Sequence, residues 1–308
     1  MDPIATAYDA LARVYDDLTV DHDYDAWTRT LERLATDHGM RGRRLLDLAC
    51  GTGKSFMPFA LRGFEVTACD ISPGMLERAA TKAPPGVRLL QADMRALPDG
   101  GHHDLVTCLD DAVNYLGDEG ELTSAFGSVA RSLAPGGVFL FDVNTLAVYR
   151  SLFATDNCSE LDGCFFALRG EAAPTLPSGS LAPLTIEAFR REPDGSWLRL
   201  TSHHDQRHHA HEAVLRALRA AGLACTAVHG LTPDGVLHAE VEELQHTKRV
   251  YVATAMSPVR GEEVSHDPHQ EAGEADRPGR RFHQVELTDG PGTPTAAAPS
   301  GMPAGARR

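Results

Sequence analysis

Three features are absent or scarce in this 308-residue chain, and each absence argues against a class of function. No apolar run approaches the roughly 20 residues of a membrane-spanning helix, and the N-terminus carries no signal-peptide pattern. The net charge is −14 and lysine occurs at only three positions, so most of the surface would repel a nucleic acid. The six cysteines include no Cys-x-x-Cys pair, which disfavours a zinc or redox site. We therefore expect a cytoplasmic protein with neither a membrane nor a nucleic acid as partner.

What the sequence does contain is a strand, turn, helix and strand pattern around residue 50. Residues 45–49 read as a short buried parallel strand, and Gly51 and Gly53 make a tight turn where a side chain would block a ligand. A helix-like segment and a second apolar strand follow, and the strand ends at Asp70. A carboxylate in that place accepts hydrogen bonds from ribose hydroxyls in βαβ units. The stretch therefore predicts a nucleoside-binding unit.

The residues of the glycine turn separate three classes of ligand. A phosphate-binding P-loop would need a glycine where Leu48 stands, five residues before Gly53. A dinucleotide fingerprint would need a third glycine where Phe56 stands. What remains is Asp47-x-x-Cys-Gly-Thr-Gly, which resembles motif I of the class I S-adenosylmethionine-dependent methyltransferases.

Four later segments resemble further motifs of this family and keep the family's order across residues 45–144. They are a capped helix start at 71–75, a strand ending in a carboxylate at 87–94, a strand at 103–110, and a helix, Pro-Gly-Gly turn and strand at 129–142. The resemblance implies an α/β fold with a Rossmann-like, seven-stranded, mostly parallel sheet. It also implies S-adenosylmethionine as cofactor, with S-adenosylhomocysteine as its product.

The same resemblance implies which residues hold the cofactor. Asp70 would bind the ribose hydroxyls, Asp93 would accept the adenine amino group, and Met75 and Met94 would lie beside the ring. Asp47 stands inside an apolar strand and would be costly without a partner, so we expect it to bond amides of the glycine turn or the methionine ammonium. The expected cofactor residues are Tyr15, Asp47, Ala49, Gly51, Gly53, Asp70, Ile71, Met75, Asp93, Met94 and Leu109.

Hydrophobic spacing divides the chain into five segments. Two amphipathic helices are predicted before the first strand, and three strands are predicted in an insertion between the fifth core strand and a helix that starts near Gln206. The tail is rich in Pro, Gly, Ala and charge and cannot bury enough apolar surface to order itself. The predicted segments are an N-terminal helical lid at 1–40, the cofactor core at 41–144, an antiparallel β lid at 145–205, the rest of the core at 206–256 and a disordered tail at 257–308.

The acceptor side rests on a second resemblance, where the lid meets the core. His204-Asp-Gln-Arg207 matches a His-x-Gln-Arg element of many small-molecule methyltransferases. This similarity implies that His204 contacts or deprotonates the acceptor and that Arg207 orients it or anchors the lid. The alternative is a surface junction in which both side chains make only capping and solvent contacts.

Residues 109–115 resemble the Asp-x-x-Asn-Tyr-Leu element that follows the fourth strand in such enzymes. Asp110 would sense the amine or the sulfonium, and Asn114 and Tyr115 would line the pocket or else only begin the next helix. Tyr8 and Tyr15, one heptad apart, would cover the methionine part of the cofactor, unless they are core residues.

The combined interpretation is a methyltransferase that acts on a nitrogen or oxygen atom of a small molecule, as in natural-product biosynthesis. His204, His208 and His211 have the helical spacing of a shared zinc site, but a strand-to-helix change would break it, so we expect no metal. A methyltransferase fold that only binds the cofactor is one alternative, and an NAD-dependent dehydrogenase, disfavoured by the missing glycine, is another. Either a monomer or a homodimer fits the sequence.

Overall fold

The structure, a computed structural model, describes residues 2–99, 101–161 and 163–256. Within these ranges the chain forms one sheet of eight strands and a second sheet of four. The tail that was predicted to be disordered lies outside the described residues. No helix in the described ranges is long and apolar enough to cross a membrane.

Twelve strands alternate with eight helices in the described part of the chain. The strands are β1 Arg44–Leu48, β2 Glu65–Asp70, β3 Arg88–Gln91, β4 His103–Cys108, β5 Leu133–Asn144, β6 Asp156–Leu161, β7 Cys164–Gly170, β8 Leu181–Arg191, β9 Trp197–Arg207, β10 Leu223–Leu231, β11 Leu237–His238 and β12 Lys248–Ala255. The helices are α1 Pro3–Leu11, α2 Tyr15–Leu18, α3 Tyr24–Asp37, α4 Met57–Leu61, α5 Pro73–Ala80, α6 Glu119–Ser132, α7 Leu146–Tyr149 and α8 His211–Ala220.

The core sheet has the order β3-β2-β1-β4-β5-β12-β10-β11. Strands β3 to β5 pair in parallel, whereas β12 runs antiparallel between β5 and β10. Its central strands are buried on both faces because helices cover the sheet from either side, as their continuous apolar runs require. The predicted parallel core closed by an antiparallel hairpin is confirmed.

The predicted number of seven strands is wrong by one. Strand β11 pairs with the end of β10 through Leu237 opposite Leu231 and His238 opposite Gly230. The turn between them is closed by the amide of Thr232, which donates to the carbonyl of Val236 at 3.0 Å. A strand of two residues is too short to show hydrophobic alternation, so β11 has no signal in the sequence.

The N-terminal region contains three helices rather than the two that were predicted. The helical spacing from Tyr8 to Leu18 is interrupted, because α1 ends at Leu11 and α2 begins at Tyr15. Asp23 caps α3 by accepting a hydrogen bond from the amide of Ala26 at 3.0 Å. These helices bring Tyr8, Tyr15 and Tyr24 to the carboxyl edge of the core sheet.

The insertion forms an antiparallel sheet in the order β6-β7-β8-β9, which we call the lid sheet. Three of its strands were predicted, and β6 is the fourth. Strand β9 continues to Arg207, which pairs with Leu181, so the helix predicted from Gln206 begins only at His211 in α8. Ser202, His204 and Gln206 are buried while the residues between them are exposed, which is strand alternation. The pattern was hidden because the buried positions are polar.

Helix α1 joins the two sheets. Its Leu11 packs in one apolar cluster with Phe166 and Ile186 of the lid sheet and with Met75 of α5. The hydroxyl of Ser202 on β9 also donates to the carbonyl of Ala7 in α1 at 2.9 Å. The lid sheet is therefore attached to the core largely through the N-terminal helix.

Candidate active site

A pocket opens at the carboxyl ends of β1, β2, β3 and β4, where their strand-end loops meet under the N-terminal helices. Crevices at this edge are the usual ligand sites of open parallel sheets. Eight of the expected cofactor residues line the pocket, namely Tyr15, Ala49, Gly51, Asp70, Ile71, Asp93, Met94 and Leu109.

The glycine turn after β1 depends on left-handed backbone at two positions. Gly51 has φ +53° and Gly53 has φ +94°, and a Cβ on Gly53 would come within 2.8 Å of the Phe56 ring. Gly53 does not line the pocket, so glycine is needed at this position for its positive φ and for close packing against Phe56 rather than for contact with a ligand. The amide of Gly51 donates to the Asp70 carboxylate at 2.8 Å, which joins the turn to the end of β2.

The Asp70 carboxylate is almost fully buried and faces this pocket. One oxygen accepts from the Gly51 amide and the other from the Ser72 amide at 2.9 Å. Burial raises the pKa of this carboxyl against the opposing effect of its backbone donors. A carboxylate has about four acceptor positions, so two remain for the hydroxyls of a ribose. Asp70 therefore fits the nucleoside role expected from its place.

Asp93 and Met94 line the other end of the pocket, after β3. The Asp93 carboxylate accepts from the Arg95 guanidinium at 2.6 Å, and hydrogen bonds and charge from Arg95 lower the pKa of Asp93 against the effect of partial burial. Met75 does not line the pocket. It is fully buried against Leu11, because the Ser72 cap turns α5 so that this side chain faces α1. The sequence interpretation expected Met75 beside the adenine ring, and the structure instead places it outside the pocket lining.

Asp47 lies below the pocket in the middle of the core sheet. Its carboxylate accepts from the hydroxyl of Ser55 at 2.6 Å and from that of Thr107 at 2.5 Å. Burial raises the pKa of Asp47 to about 7, although both hydroxyls oppose the shift. The expected bonds to amides of the glycine turn are absent from the described hydrogen bonds, and the partners are instead the hydroxyl groups of Thr107 in β4 and of Ser55, which precedes α4.

Asp110 and Asp111 follow β4 with φ values of +58° and +55°, a left-handed pair without glycine. The Asp142 carboxylate holds this backbone by accepting from both amides, at 2.9 and 2.7 Å. Lys248 donates to Asp142 at 2.8 Å and to Asp111 at 2.9 Å, which balances the buried charge. The strained turn aims the Asp110 side chain into the pocket, where its Oδ2 accepts from the Tyr24 hydroxyl at 2.6 Å.

A chain of hydrogen bonds leads from the pocket to the lid sheet. Ser202 donates its single hydroxyl proton to Ala7, so it accepts from Nε2 of His204 at 2.6 Å. Nδ1 of His204 therefore accepts from the Tyr115 hydroxyl, which in turn accepts from the Tyr8 hydroxyl, both at 2.9 Å. Burial lowers the pKa of His204 to about 4, and the neutral ring this implies agrees with that arrangement.

His204 does not line the pocket, contrary to the expected contact with the acceptor. Its ring lies behind Tyr8 and Tyr115, which do line the pocket, and both ring nitrogens already have partners. His204 orients the Tyr115 hydroxyl from behind. The helical spacing considered for a zinc site is absent, because His204 belongs to β9 and His208 lies between β9 and α8. The His208 ring contacts the Glu243 carboxylate instead.

Asn114 and Arg207 were expected to bind the acceptor, and neither lines the pocket. The Asn114 amide donates to the Arg207 carbonyl at 2.8 Å and accepts from the Asn144 amide at 2.9 Å. Arg207 donates to the carbonyl of Gly179 at 2.6 Å. The Asn114 bond to the Arg207 carbonyl ties the end of β9 to the core, whereas the Arg207 contact with Gly179 lies within the insertion.

Tyr24 and Lys54 are among the pocket residues that the sequence interpretation missed. Tyr24 reads as the start of an ordinary amphipathic helix, and nothing in its spacing separates it from core aromatics. Lys54 lines the pocket wall and donates to the Thr19 carbonyl at 2.7 Å, which fastens the end of α2 to the glycine turn. Only the tertiary packing of the N-terminal helices brings Tyr24 to the site, and the same packing gives Lys54 its partner Thr19.

The strand order and this nucleoside-binding turn define the class I methyltransferase fold. A family model described as a methyltransferase domain matches residues 45–137. The Bacillus subtilis protein YqeM, named as a methyltransferase, is 37% identical over 158 residues, which are 50% of this chain and 62% of that protein. This chain therefore spans somewhat less than two thirds of YqeM.

Two further relatives match over more of their length. A Geobacillus protein named as a methyltransferase is 31% identical over 212 residues, which are 65% of this chain and 81% of that protein. The dTDP-3-amino-3,6-dideoxy-alpha-D-glucopyranose N,N-dimethyltransferase of Streptomyces fradiae is 26% identical over 222 residues, covering 68% of this chain and 80% of that enzyme.

Solved structures agree with the sequence matches. An S-adenosylmethionine-dependent methyltransferase from Clostridium acetobutylicum superposes with a TM-score of 0.68 at 25% identity, covering 81% of this chain and 99% of that one. Streptomyces venezuelae DesVI superposes with a TM-score of 0.61 at 25% identity, covering 78% and 97%. The chain belongs to the class I S-adenosylmethionine-dependent methyltransferases, and its cofactor is S-adenosylmethionine.

Proposed function

We propose that this protein methylates an amine nitrogen of a small molecule in natural-product biosynthesis. The observation that carries the proposal is the Asp110 carboxylate, which a strained and hydrogen-bonded turn aims into the pocket. A nitrogen gains positive charge as it forms the new bond to carbon. A carboxylate held beside it stabilises that charge without having to reorganise.

The other groups of the pocket favour an amine over a hydroxyl acceptor. Burial raises the pKa of Tyr8, Tyr15, Tyr24 and Tyr115, so these hydroxyls stay protonated near neutral pH. His204 is shielded behind two of them. A hydroxyl acceptor benefits from a general base, and no histidine lines the cofactor pocket in the described ranges. A neutral amine brings its own lone pair and needs no such base.

The protein's own part in the reaction is positioning and exclusion of water. S-adenosylmethionine supplies a methyl group on a positively charged sulfonium. Asp70 and the turn at Gly51 fit the nucleoside, while Tyr8 and Tyr15 cover the pocket from the N-terminal helices. Alignment of donor and acceptor in a closed site provides much of the acceleration in displacements of this kind.

Two relatives support nitrogen as the acceptor atom. The Streptomyces fradiae enzyme and a second protein, from Streptomyces venezuelae, are both named as N,N-dimethyltransferases of amino sugars. Those names describe those proteins. They agree with an acceptor site in which a carboxylate stabilises the charge on nitrogen and no general base is needed to remove a proton from oxygen.

The test uses two acceptors that differ in one group, 3-amino-3-deoxyglucose and glucose. We expect the mass gain of one methylene unit on the amine and none on the alcohol, measured by mass spectrometry with S-adenosylmethionine present. Asp110→Asn should lower kcat/KM for the amine by about a hundredfold, the usual range for a lost electrostatic contact to developing charge.

The matched control is Asp205→Asn, which changes the same residue type on the exposed face of β9. This variant should keep the wild-type rate. Methylation of oxygen alone, or full activity in Asp110→Asn, would show that the acceptor is not an amine held by Asp110.

A further inference from the structure

A second cavity lies beside the cofactor pocket at the carboxyl edge of the core sheet. Its walls are residues 21–30, the turn at 231–235 and the start of β12. Tyr24 and Asp110 line both cavities, so the two spaces meet at these side chains. Counted with its open mouth, this cleft holds about 1150 Å³ of empty space, against about 890 Å³ for the pocket. A second small molecule has room to reach Asp110 from this side.

The lid side of the pocket is closed by side chains. The Tyr8 ring packs edge to face against Tyr115, with centroids 5.5 Å apart, and against His204 at 5.3 Å. All three also share the hydrogen-bond chain that ends on α1. The cleft rather than the lid sheet therefore offers the approach to Asp110.

The charge of the cleft is one-sided. Five aspartates, one histidine, His22, and a single lysine, Lys248, line it. Lys248 is no free cation, because it donates to Asp111 and Asp142. The N-terminus of α3 also faces the cleft, but its Ala26 amide already donates a hydrogen bond to the Asp23 carboxylate. The aspartates are Asp21, Asp23, Asp110, Asp142 and Asp234.

Two aromatic side chains of the cleft also favour a cationic ligand. Trp27 and Tyr24 of α3 line the cleft on one side, opposite the turn that carries Asp234. Ammonium groups are attracted both to carboxylates and to aromatic faces. An anionic phosphate would meet five carboxylates, and the basic side chains among the lining residues are only Lys248, which is paired with Asp111 and Asp142, and His22.

We propose that the cleft is the acceptor site and that its ligand is a small molecule with two or more amino groups and no phosphate. The amino groups bind as ammonium ions, and the nitrogen that accepts the methyl group first loses its proton to solvent in the open cleft. An aminocyclitol or a free amino sugar has this chemistry. The inference rests on the proposed amine methylation and narrows its substrate class. It also separates this chain from the relatives whose names specify a dTDP-linked sugar.

The general acidity of the chain, with a net charge of −14, accounts for scattered surface carboxylates. It does not account for their convergence on a concave surface that ends at the candidate catalytic carboxylate. Asp21 and Asp234 both line the cleft but belong to segments more than 200 residues apart in sequence. Only the fold brings them together.

The experiment is isothermal titration calorimetry on the protein saturated with S-adenosylhomocysteine. The cationic probe is 2-deoxystreptamine and the anionic probe is thymidine diphosphate. We expect the diamine to bind and the diphosphate to give no heat. In the double variant Asp21→Lys/Asp234→Lys, the diamine affinity should fall by about tenfold or more at low salt, where charge interactions are least screened.

Asp205→Lys on the exposed face of the lid sheet is the matched control and should bind the diamine as the wild type does. Unchanged S-adenosylhomocysteine affinity in the double variant shows that the fold is intact. Tighter binding of thymidine diphosphate than of the diamine, or equal diamine affinity in the double variant, would overturn the inference.

The two proposals fail in different ways. If amines are methylated but their KM does not respond to the double variant, the acceptor site lies elsewhere and the amine chemistry stands. If the diamine binds in the cleft but no amine is ever methylated, the cleft stands as a cation site and the acceptor assignment falls with the amine proposal.

Discussion

The core sheet and the lid sheet secure their buried polar side chains in different ways. At the end of β2, Asp70 is held by the amide of Gly51, from the glycine turn after β1, and by that of Ser72, from its own loop. On β9, Ser202 and His204 find their partners in α1 and after β4, far away in sequence. The core site is therefore built by local geometry, and the lid contacts exist only when three distant segments come together.

The largest effect is expected where the core site is most local. Asp70→Ala removes charge-assisted hydrogen bonds, each contributing about 1.5–3 kcal/mol, so the Kd for S-adenosylmethionine should rise about tenfold or more. Calorimetric titration measures it. The control is Asp104→Ala, a carboxylate at the opposite edge of the sheet that pairs with the exposed Arg44. An unchanged Kd in folded Asp70→Ala protein would remove the nucleoside role from this residue.

An intermediate effect is expected at the contact between lid and core, and it depends on pH. Burial lowers the pKa of His204 and of His209 to about 4. Because these folded-state pKa values lie below the ordinary 6.5, the stability linked to the neutral rings is complete above pH 6.5. It is lost as the pH falls toward 4, by about 2 kcal/mol per histidine between pH 6.5 and 5.

Urea unfolding at pH 7.5 and pH 5 checks this linkage. His204→Gln should flatten the acid dependence of the free energy of unfolding by about one histidine's share. Thr201→Gln changes an exposed neighbour on the same strand that does not titrate, and it should leave the dependence as it is in the wild type. Equal slopes for the wild type and His204→Gln would contradict the burial of a neutral ring at this position.

The smallest effect is expected from removal of residues 260–308. The last described strand ends at Ala255, and the composition beyond it provides no apolar core. Truncation should change Tm by less than about 2 °C, which corresponds to under about 1 kcal/mol in a protein of this size. Cofactor affinity should also stay the same. A large drop in either quantity would mean that the tail contributes to the fold.

Much of the core could be predicted because its signals are short-range. Apolar runs of strand length, the glycines at 51 and 53 and the carboxylate at Asp70 each act within one βαβ unit. The exceptions have physical reasons. Met75 turns away from the pocket to fill a gap against Leu11, and β11 is too short to carry a periodic pattern.

The acceptor side could be predicted only in part. Tyr8, Tyr15, Asp110 and Tyr115 do lie at the pocket as expected, although their roles stay predictions. His204 lies at the predicted junction, but Tyr115 separates its ring from the pocket. No local sequence pattern reveals that a residue distant in sequence will shield a side chain in this way.

The sequence by itself determined the fold class, the cofactor turn and the carboxylates at the ends of successive strands. These follow from hydrophobic periodicity and from backbone conformations that only certain residues tolerate. The tertiary structure alone decided that Lys248 and Asp142 would hold the Asp110 turn, that Tyr24 would reach Asp110, and that a cleft lined by aspartates would open beside it. Each of these contacts joins segments distant in sequence, and their pairing depends on how helices and strands pack rather than on any local spacing.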